Sequence, residues 1–389
     1  LHNVLVVAVE QAVAAPFASR QLADLGARVI KIERPGVGDF ARSYDTTVKG
    51  MASHFVWTNR SKESLTLDLK REEAVEVLRR LMARADVFIH NLAPGAVDRL
   101  GFGSEGLRAQ YPRIVTCGIS GYGSSGPYRD KKAYDLLVQS EAGLVSITGT
   151  DDTPSKVGIS IADIAAGMYA FSGVLAALLR RERTGEGAAV DVSMFDALAE
   201  WMGFPAYFTE YGGSAPPRSG ARHASIAPYG PFIAGDGHAV YLGLQNEREW
   251  VRFCDEVLQR PDLSTDDRFT SNTARVTHQD QLNQVITHAF SGLSVAEVVA
   301  RLDAAGIASA RMNTMREFLD HPQLAARDRW REVESPVGPL RALVPPIALD
   351  GPEPAMGPIP ALGEHTDAIL NELGYDAGTI AEWRRSGVV

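Results

Sequence analysis

Short apolar stretches recur through the first third of the chain, with helical spacing between them. Residues 4–9 (VLVVAV) are uninterrupted and rich in β-branched side chains, and 28–33 (RVIKIE), 65–69 (LTLDL), 86–92 (DVFIHNL) and 114–119 (IVTCGI) also read as strands. Between them, 17–25 has helical spacing, and 72–85 places Val75, Leu78, Leu81, Met82 and Ala85 on one helical face. Strands that are apolar on both faces need cover on both faces, so this order predicts a parallel sheet between helical layers. The expected class is α/β, with a Rossmann-like large domain whose ligand binds at the carboxyl ends of the strands.

Helices are expected at about 133–146 and 162–182, the second stopped by Gly185 and Gly187 after the basic run 180–183. A strand at 189–193 leads into a helix at 194–210. Breaker residues then cluster in GGSAPPRSG, 212–220. After them come a hairpin, 229–234 and 239–244, and helices at about 247–258, 274–290 and 295–305. The division expected is a large α/β domain over 1–211, a linker at 212–225 and a smaller α+β domain over 226–320. A connector, 321–362, holds eight prolines between 334 and 362, and two helices over 363–389 return to the large domain.

With 389 residues, 45% apolar and 22% charged, the chain has the composition of a soluble protein of two or more domains. A net charge of −9 argues against nucleic acid or an anionic membrane surface as partner, but leaves room for a local cationic site. Two cysteines, Cys117 and Cys254, form no CxxC pair, so a reducing, cytoplasmic setting is expected, without a disulfide or zinc framework. The opening LHNVLVVAVEQAV has no basic n-region, which argues against a signal peptide. Residues 161–179 are long enough to span a membrane, but Asp163, Gly167, Ser172 and Gly173 suit a buried helix better.

Residues 121–126 (GYGSSG) match GxGxxG formally. Pro127 and a polar run follow where a dinucleotide site needs a helix, so a flexible turn beside a cleft is the reading preferred to an NAD site. No histidine pair has metal-site spacing, and neither GxSxG nor GxxxxGK[ST] occurs. An aspartate such as Asp163 at a helix start is commonly a cap; it can also be held as an anion by the helix dipole.

Six segments in order resemble the type III CoA-transferases, the CaiB/BaiF family that includes formyl-CoA and carnitine CoA-transferases. They are 14–39 (AAPFASRQLADLGARVIKIERPGVGD), 59–70 (NRSKESLTLDLK), 91–102, 120–135, 162–197 and 362–389. The resemblance implies an aspartate nucleophile opening the long alanine-rich helix, here Asp163. It implies that Arg34 lies against the adenine or its ribose phosphate, and that Leu67, Lys70, Asn91, Leu92, Arg99 and Leu100 complete the nucleotide site. Val13 and Ala14 would pass close to the pantetheine arm, Lys132 would meet a phosphate, and Tyr134, Asp135 and Met194 would line the thioester end. Arg222 and His223 are candidates for holding the acceptor acid. The resemblance also implies an intertwined homodimer. The substrates would be acyl-CoA, with succinyl-CoA the expected donor, and a short carboxylic, preferably dicarboxylic, acid. No prosthetic cofactor and no metal are expected, because a carboxylate alone can exchange a thioester through covalent intermediates.

Two other readings stand beside this one. An α-methylacyl-CoA racemase of the same fold would need a second acid/base group where this chain has Tyr134-Asp135, and tyrosine is a poor base near neutrality. A non-catalytic CoA-binding protein is the alternative from another class. The glycine-rich lid of the formyl-CoA branch has no counterpart beyond Gly212-Gly213.

Overall fold

The structure is a computed structural model that describes residues 1–351 and 353–389. It divides into two compact units. The first comprises residues 1–142, 157–203 and 323–389, and the second 143–156 and 204–322.

The first unit is built on six parallel strands, β1 (Leu5–Val9), β2 (Arg28–Glu33), β3 (Lys62–Thr66), β4 (Val87–His90), β5 (Val115–Ser120) and β6 (Ala189–Ser193). Their spatial order is β3-β2-β1-β4-β5-β6. This is the Rossmann order: the chain steps outward from β1 to β3, then returns beside β1 and steps the other way. The reversal opens a crevice at the carboxyl ends of β1 and β4. β1 is almost wholly buried, as an apolar central strand must be. One side of the sheet packs on helix Glu72–Met82 and on the C-terminal helices Thr366–Glu372 and Ala377–Ser386. There Leu78, Leu81, Ile369, Leu370 and Val388 meet Val7, Ile30 and Phe88 in a shared core.

Helix Ala14–Asp24 follows β1 directly and packs against the long helix Ile161–Thr184. The contact is close because of one glycine. A Cβ on Gly167 would lie 2.7 Å from the Ala14 carbonyl oxygen and 3.0 Å from the Phe17 ring. Glycine inside a helix costs about 1 kcal/mol relative to alanine, and here the close approach offsets that cost. The long helix stops as its sequence suggests, with Gly185 left-handed at φ 78°. Only half of its apolar length is buried within the chain.

Several local expectations shift; the helix expected over about 274–290, for one, is two, Asn272–Thr277 and Gln279–Phe290. β3 begins at Lys62 rather than at 65. Pairing of Val29 with Lys62 and of Glu33 with Thr66 sets its register, and the charges of Lys62 and Glu63 hid its start from a hydrophobic pattern. The helix expected over 133–146 is two, Asp135–Glu141 and Leu144–Ile147, because Gly143 takes φ 80° between them. The helix expected over 194–210 breaks into Met194–Trp201 and Gly203–Gly212.

In the second unit, β7 (Tyr229–Ile233) and β8 (Ala239–Gly243) form the expected hairpin, and β9 (Ala308–Arg311) adds a third antiparallel strand. β9 has four residues, mostly exposed and without alternation, so it left no pattern to read. Its core gathers Trp250, Phe253, Phe269 and Phe290 with Val240 and Leu242. Within the first unit, the stretch before the C-terminal helices also carries an antiparallel pair, β10 (Trp330–Val333) and β11 (Leu340–Leu343).

Candidate functional site

A cavity of about 430 Å³ opens at the carboxyl ends of β1, β2 and β3 and the turn after β4. Its apolar wall includes Val9, Ile32, Leu67, Leu92 and Leu100. Its floor carries Glu10, Glu33 and Asp39. Burying three carboxylates is unfavourable unless each is paired. Here Lys62 Nζ donates to Glu10 at 2.7 Å, Lys31 Nζ donates to Asp39 at 2.7 Å, and Arg42 grips Glu33 through two bonds of 2.8 Å. Burial alone would push Glu10 and Glu33 up. Lys62 and Lys31 instead hold Glu10 below its ordinary value, and the Arg42 hydrogen bond brings Glu33 down to about 2. The floor is thus charge-balanced. On the same cavity, Arg34, Lys70 and Arg99 are exposed and belong to no ion pair among the described residues. Three unpaired cations, against one unpaired carboxylate on the lining among the described residues, Asp68, leave the cavity wall net positive beside an apolar slot, which suits a polyanion that carries an aromatic base.

The floor also shapes the loop that leaves the cavity. Asp39 Oδ1 accepts from Ala12 N at 2.8 Å, where Ala12 is left-handed at φ 62°. Asn91 holds the neighbouring Gln11 backbone from both sides, accepting from its N–H at 2.9 Å and donating to its carbonyl at 2.8 Å. Val13 and Ala14 follow, buried, where helix Ala14–Asp24 begins. The Ala14 carbonyl meets Gly167, one helical turn beyond Asp163.

Asp163 is the third residue of its helix, but it is not the cap. The first-turn donor Ala162 N–H goes to Asp135 Oδ1 at 2.8 Å. Asp135 is itself locked by Gln139 Nε2 at 2.6 Å, and Gln139 is wholly buried. No described residue hydrogen-bonds to the Asp163 carboxylate. The helix dipole was expected to hold it as an anion, and the structure reverses this. Burial first, and the charge of Asp135 second, push Asp163 up to about 7. Asp135 occupies the helix end whose positive field Asp163 would otherwise use.

A family model for CoA-transferase family III matches residues 1–366. The chain belongs to CoA-transferase family III. The mouse succinyl-CoA:glutarate CoA-transferase is 32% identical over 394 residues, covering 100% of this chain and 90% of that protein. The acetyl-CoA:oxalate CoA-transferase of Acetobacter aceti is 37% identical over 328 residues, covering 84% of each. A crystal structure of a CaiB/BaiF family protein from Brucella suis superposes with a TM-score of 0.83 at 32% identity, covering 96% of this chain and 98% of that one.

Within this CoA-transferase, the fold gathers six of the seven residues expected at the nucleotide site. Arg34, Leu67, Lys70, Leu92, Arg99 and Leu100 share the cavity. Asn91 does not line it: its side chain is committed to the Gln11 backbone. Met194 is buried at the start of its helix, which the Phe195 N–H ties to the Gly121 carbonyl. Lys132 and Tyr134 are exposed on the loop before Asp135, and the GYGSSG stretch in that loop forms turns, with no helix after it. Arg222 and His223 lie in the second unit, where His223 stacks on Tyr229 and Arg222 bonds to the Pro231 carbonyl. Nearby Arg218 is committed to the Ser146, Thr150 and Asp151 carbonyls.

Sequence reasoning missed two neighbours. Tyr44, half-exposed, is raised by partial burial first, and then by the charges of Asp39, Asp163 and Tyr134, so it lies within the electrostatic reach of the nucleophile candidate. Its segment, FARSYD, carries no motif. Gln11 lines the cavity, and nothing in VVAVEQAV separates it from an ordinary strand end.

The raised Asp163 predicts a specific pH signature. The folded chain holds this proton more tightly than the unfolded chain, so the stability it contributes is lost as pH rises between 3.8 and about 7. Asp163→Asn, which never ionises, should melt above the parent at pH 8, with the gap shrinking toward pH 5. The difference should be on the order of a few kcal/mol when fully open. A melting series across that range checks it; a gap independent of pH would mean that Asp163 is not shifted.

Proposed function

We propose that this CoA-transferase moves CoA from succinyl-CoA to a short dicarboxylic acid, with Asp163 as the covalent nucleophile. The observation that carries the proposal is a half-buried carboxylate without a hydrogen-bond partner among the described residues, one turn from the point where the long helix meets the loop leaving a cationic cavity. The names of the similar mouse enzyme and of the Chloroflexus aurantiacus succinyl-CoA--D-citramalate CoA-transferase support the donor and the dicarboxylate class.

The adenine would lie in the apolar slot, with the CoA phosphates on Arg34, Lys70 and Arg99. Lys132 is a further phosphate contact and Asn91 a support for the loop. The arm would run over Val13 and Ala14 to a thioester end at Tyr134, Asp135 and Met194. The ionised Asp163 carboxylate attacks the thioester carbonyl and expels CoA thiolate, leaving a mixed anhydride. The thiolate attacks the aspartyl carbonyl, releases succinate and forms an aspartyl-CoA thioester. The acceptor carboxylate attacks that thioester, thiolate leaves, and it then attacks the acceptor acyl carbon to release the new acyl-CoA and free Asp163. Each step conserves the activated acyl bond, so the cycle calls for no prosthetic group. An aspartate raised to about 7 is more nucleophilic than an ordinary carboxylate and still substantially ionised near neutrality.

The long helix leaves Met168, Tyr169 and Leu179 more than a third exposed, and Trp201 at the end of helix Met194–Trp201 likewise. A second copy of the chain is the occupant proposed for these surfaces, giving the homodimer that the resemblance implies. The two cysteines are buried and free, which suits a cytoplasmic setting.

Asp163→Ala should abolish transfer while CoA binding, read by calorimetry, stays within a few-fold; turnover above a few per cent of wild type would remove Asp163 from the mechanism. For the acceptor, a dicarboxylate's far carboxylate needs a cationic or donor-rich anchor, and Arg222 with His223 is the proposed one. Arg222→Ala should raise KM for a dicarboxylate by roughly ten- to a hundredfold, the worth of a charge-assisted contact, and leave a monocarboxylate of equal length nearly unaffected. Equal losses for both acceptors would assign Arg222 to the fold instead. Light scattering at low micromolar concentration reads the assembly, with a dimer mass expected and a monomer mass contradicting it.

A further inference from the structure

The Gln11 carboxamide is the one polar side-chain group on the cavity whose acceptor is both buried and left without a partner: its Oε1 has none among the described residues. Buried carbonyl oxygens in folded proteins are nearly always paired, so an orphan on a cavity wall marks a place where a ligand supplies the missing donor. The side chain also has a fixed origin. Asn91 clamps the Gln11 backbone on both of its polar groups, and Asp39 pins the next N–H, that of Ala12. A carboxamide hung from so constrained a backbone is aimed before any ligand arrives, which lowers the ordering cost of binding.

The chemistry of the orphan narrows its partner. A carbonyl oxygen accepts and cannot pair with a phosphate, which offers only acceptors at neutral pH. The donors available on an acyl-CoA are the adenine amino group, the ribose and pantoyl hydroxyls, and the two amide N–H groups of the arm. Position selects among them. The cations Arg34, Lys70 and Arg99 come from the ends of β2 and β3 and from the turn after β4. Gln11 instead opens the loop that runs through Val13 to Ala14, whose carbonyl touches Gly167 on the Asp163 helix. Along the backbone, the loop that leads from the cavity to the Asp163 helix begins at Gln11.

We propose that Gln11 is a specificity-determining contact for the amide-bearing arm of the acyl-CoA, reading the arm where it leaves the nucleotide cavity. The inference rests on the cavity being the seat of the CoA nucleotide. Through this contact the enzyme distinguishes a complete CoA thioester from a bare adenosine nucleotide, which the three cations alone would hold equally well.

The experiment is calorimetric binding of two ligands, CoA and its adenosine bisphosphate half, to wild type, Gln11→Met and Gln11→Asn. Methionine keeps the side-chain length without the carboxamide. Asparagine retracts the amide by one methylene and serves if the methionine variant does not fold. Wild type should bind both ligands. Each variant should weaken CoA, the methionine by about five- to tenfold for one lost hydrogen bond, while the bisphosphate stays within about twofold. Unchanged CoA affinity, or equal losses on both ligands, overturns the assignment to the arm and leaves the nucleotide reading intact. Failure of wild type to bind either ligand overturns the nucleotide reading, and this inference with it.

Discussion

The Glu10 carboxylate sits between two ammonium groups in the interior, Lys62 at 2.7 Å and Lys31 at 3.4 Å, with all three side chains fully buried. It also accepts from Ser19 at 2.6 Å, and Lys62 donates onward to the Pro16 carbonyl at 2.9 Å. One charge cluster therefore joins the end of β1, the middle of β2, the start of β3 and the first turns of the helix after β1. Lys31 extends it to Asp39, and Asp39 to the Ala12 N–H. Such clusters contribute little net stability compared with a well-packed apolar core, but removing one partner leaves an unpaired buried charge worth about 3–5 kcal/mol. The return is conformational: the loop from Glu10 to Ala14 is held in one shape, including a left-handed alanine.

That loop links the two chemical parts of the first unit. Upstream lies a cavity with a neutralised acidic floor and surplus cations on its wall. Downstream, the Ala14 carbonyl reaches the long helix at the place where glycine replaces a side chain. Asp163 lies one turn away with no donor of its own, because Asp135 has taken the Ala162 N–H. A carboxylate that capped its helix would be stable and unreactive. Asp135 takes that duty at the Ala162 N–H, and burial first, with the charge of Asp135 second, raises the proton affinity of Asp163.

Much of this was legible in the sequence because it depends on local chemistry. Apolar strands separated by helical spacing called for a covered parallel sheet, and Gly185 after a basic run ended the long helix where expected. The six ordered segments pointed to the family and to Arg34, Lys70, Arg99 and Asp163. The start of β3 was not legible, since a buried strand that opens on lysine and glutamate looks like surface until its counter-charges on β1 and β2 are known. β9 was too short to carry a period. Asn91 was expected on the nucleotide site, and its commitment to the Gln11 backbone, which keeps it off the cavity lining, was not legible.

By itself, then, the sequence determined the class of fold, the stop of its long helix and the kinds of side chain available for chemistry, because these follow from periodicity, capping residues and motif order within short spans. The tertiary structure alone decided which charges cancel and which remain. It paired Glu10, Glu33 and Asp39 with Lys62, Arg42 and Lys31, and left Arg34, Lys70 and Arg99 outside any ion pair among the described residues. It also turned Asp163 from a plausible cap into a protonatable, unpartnered carboxyl at about 7. Burial and the field of a residue 28 positions earlier in the chain set that value, and both exist only once distant segments share one interior.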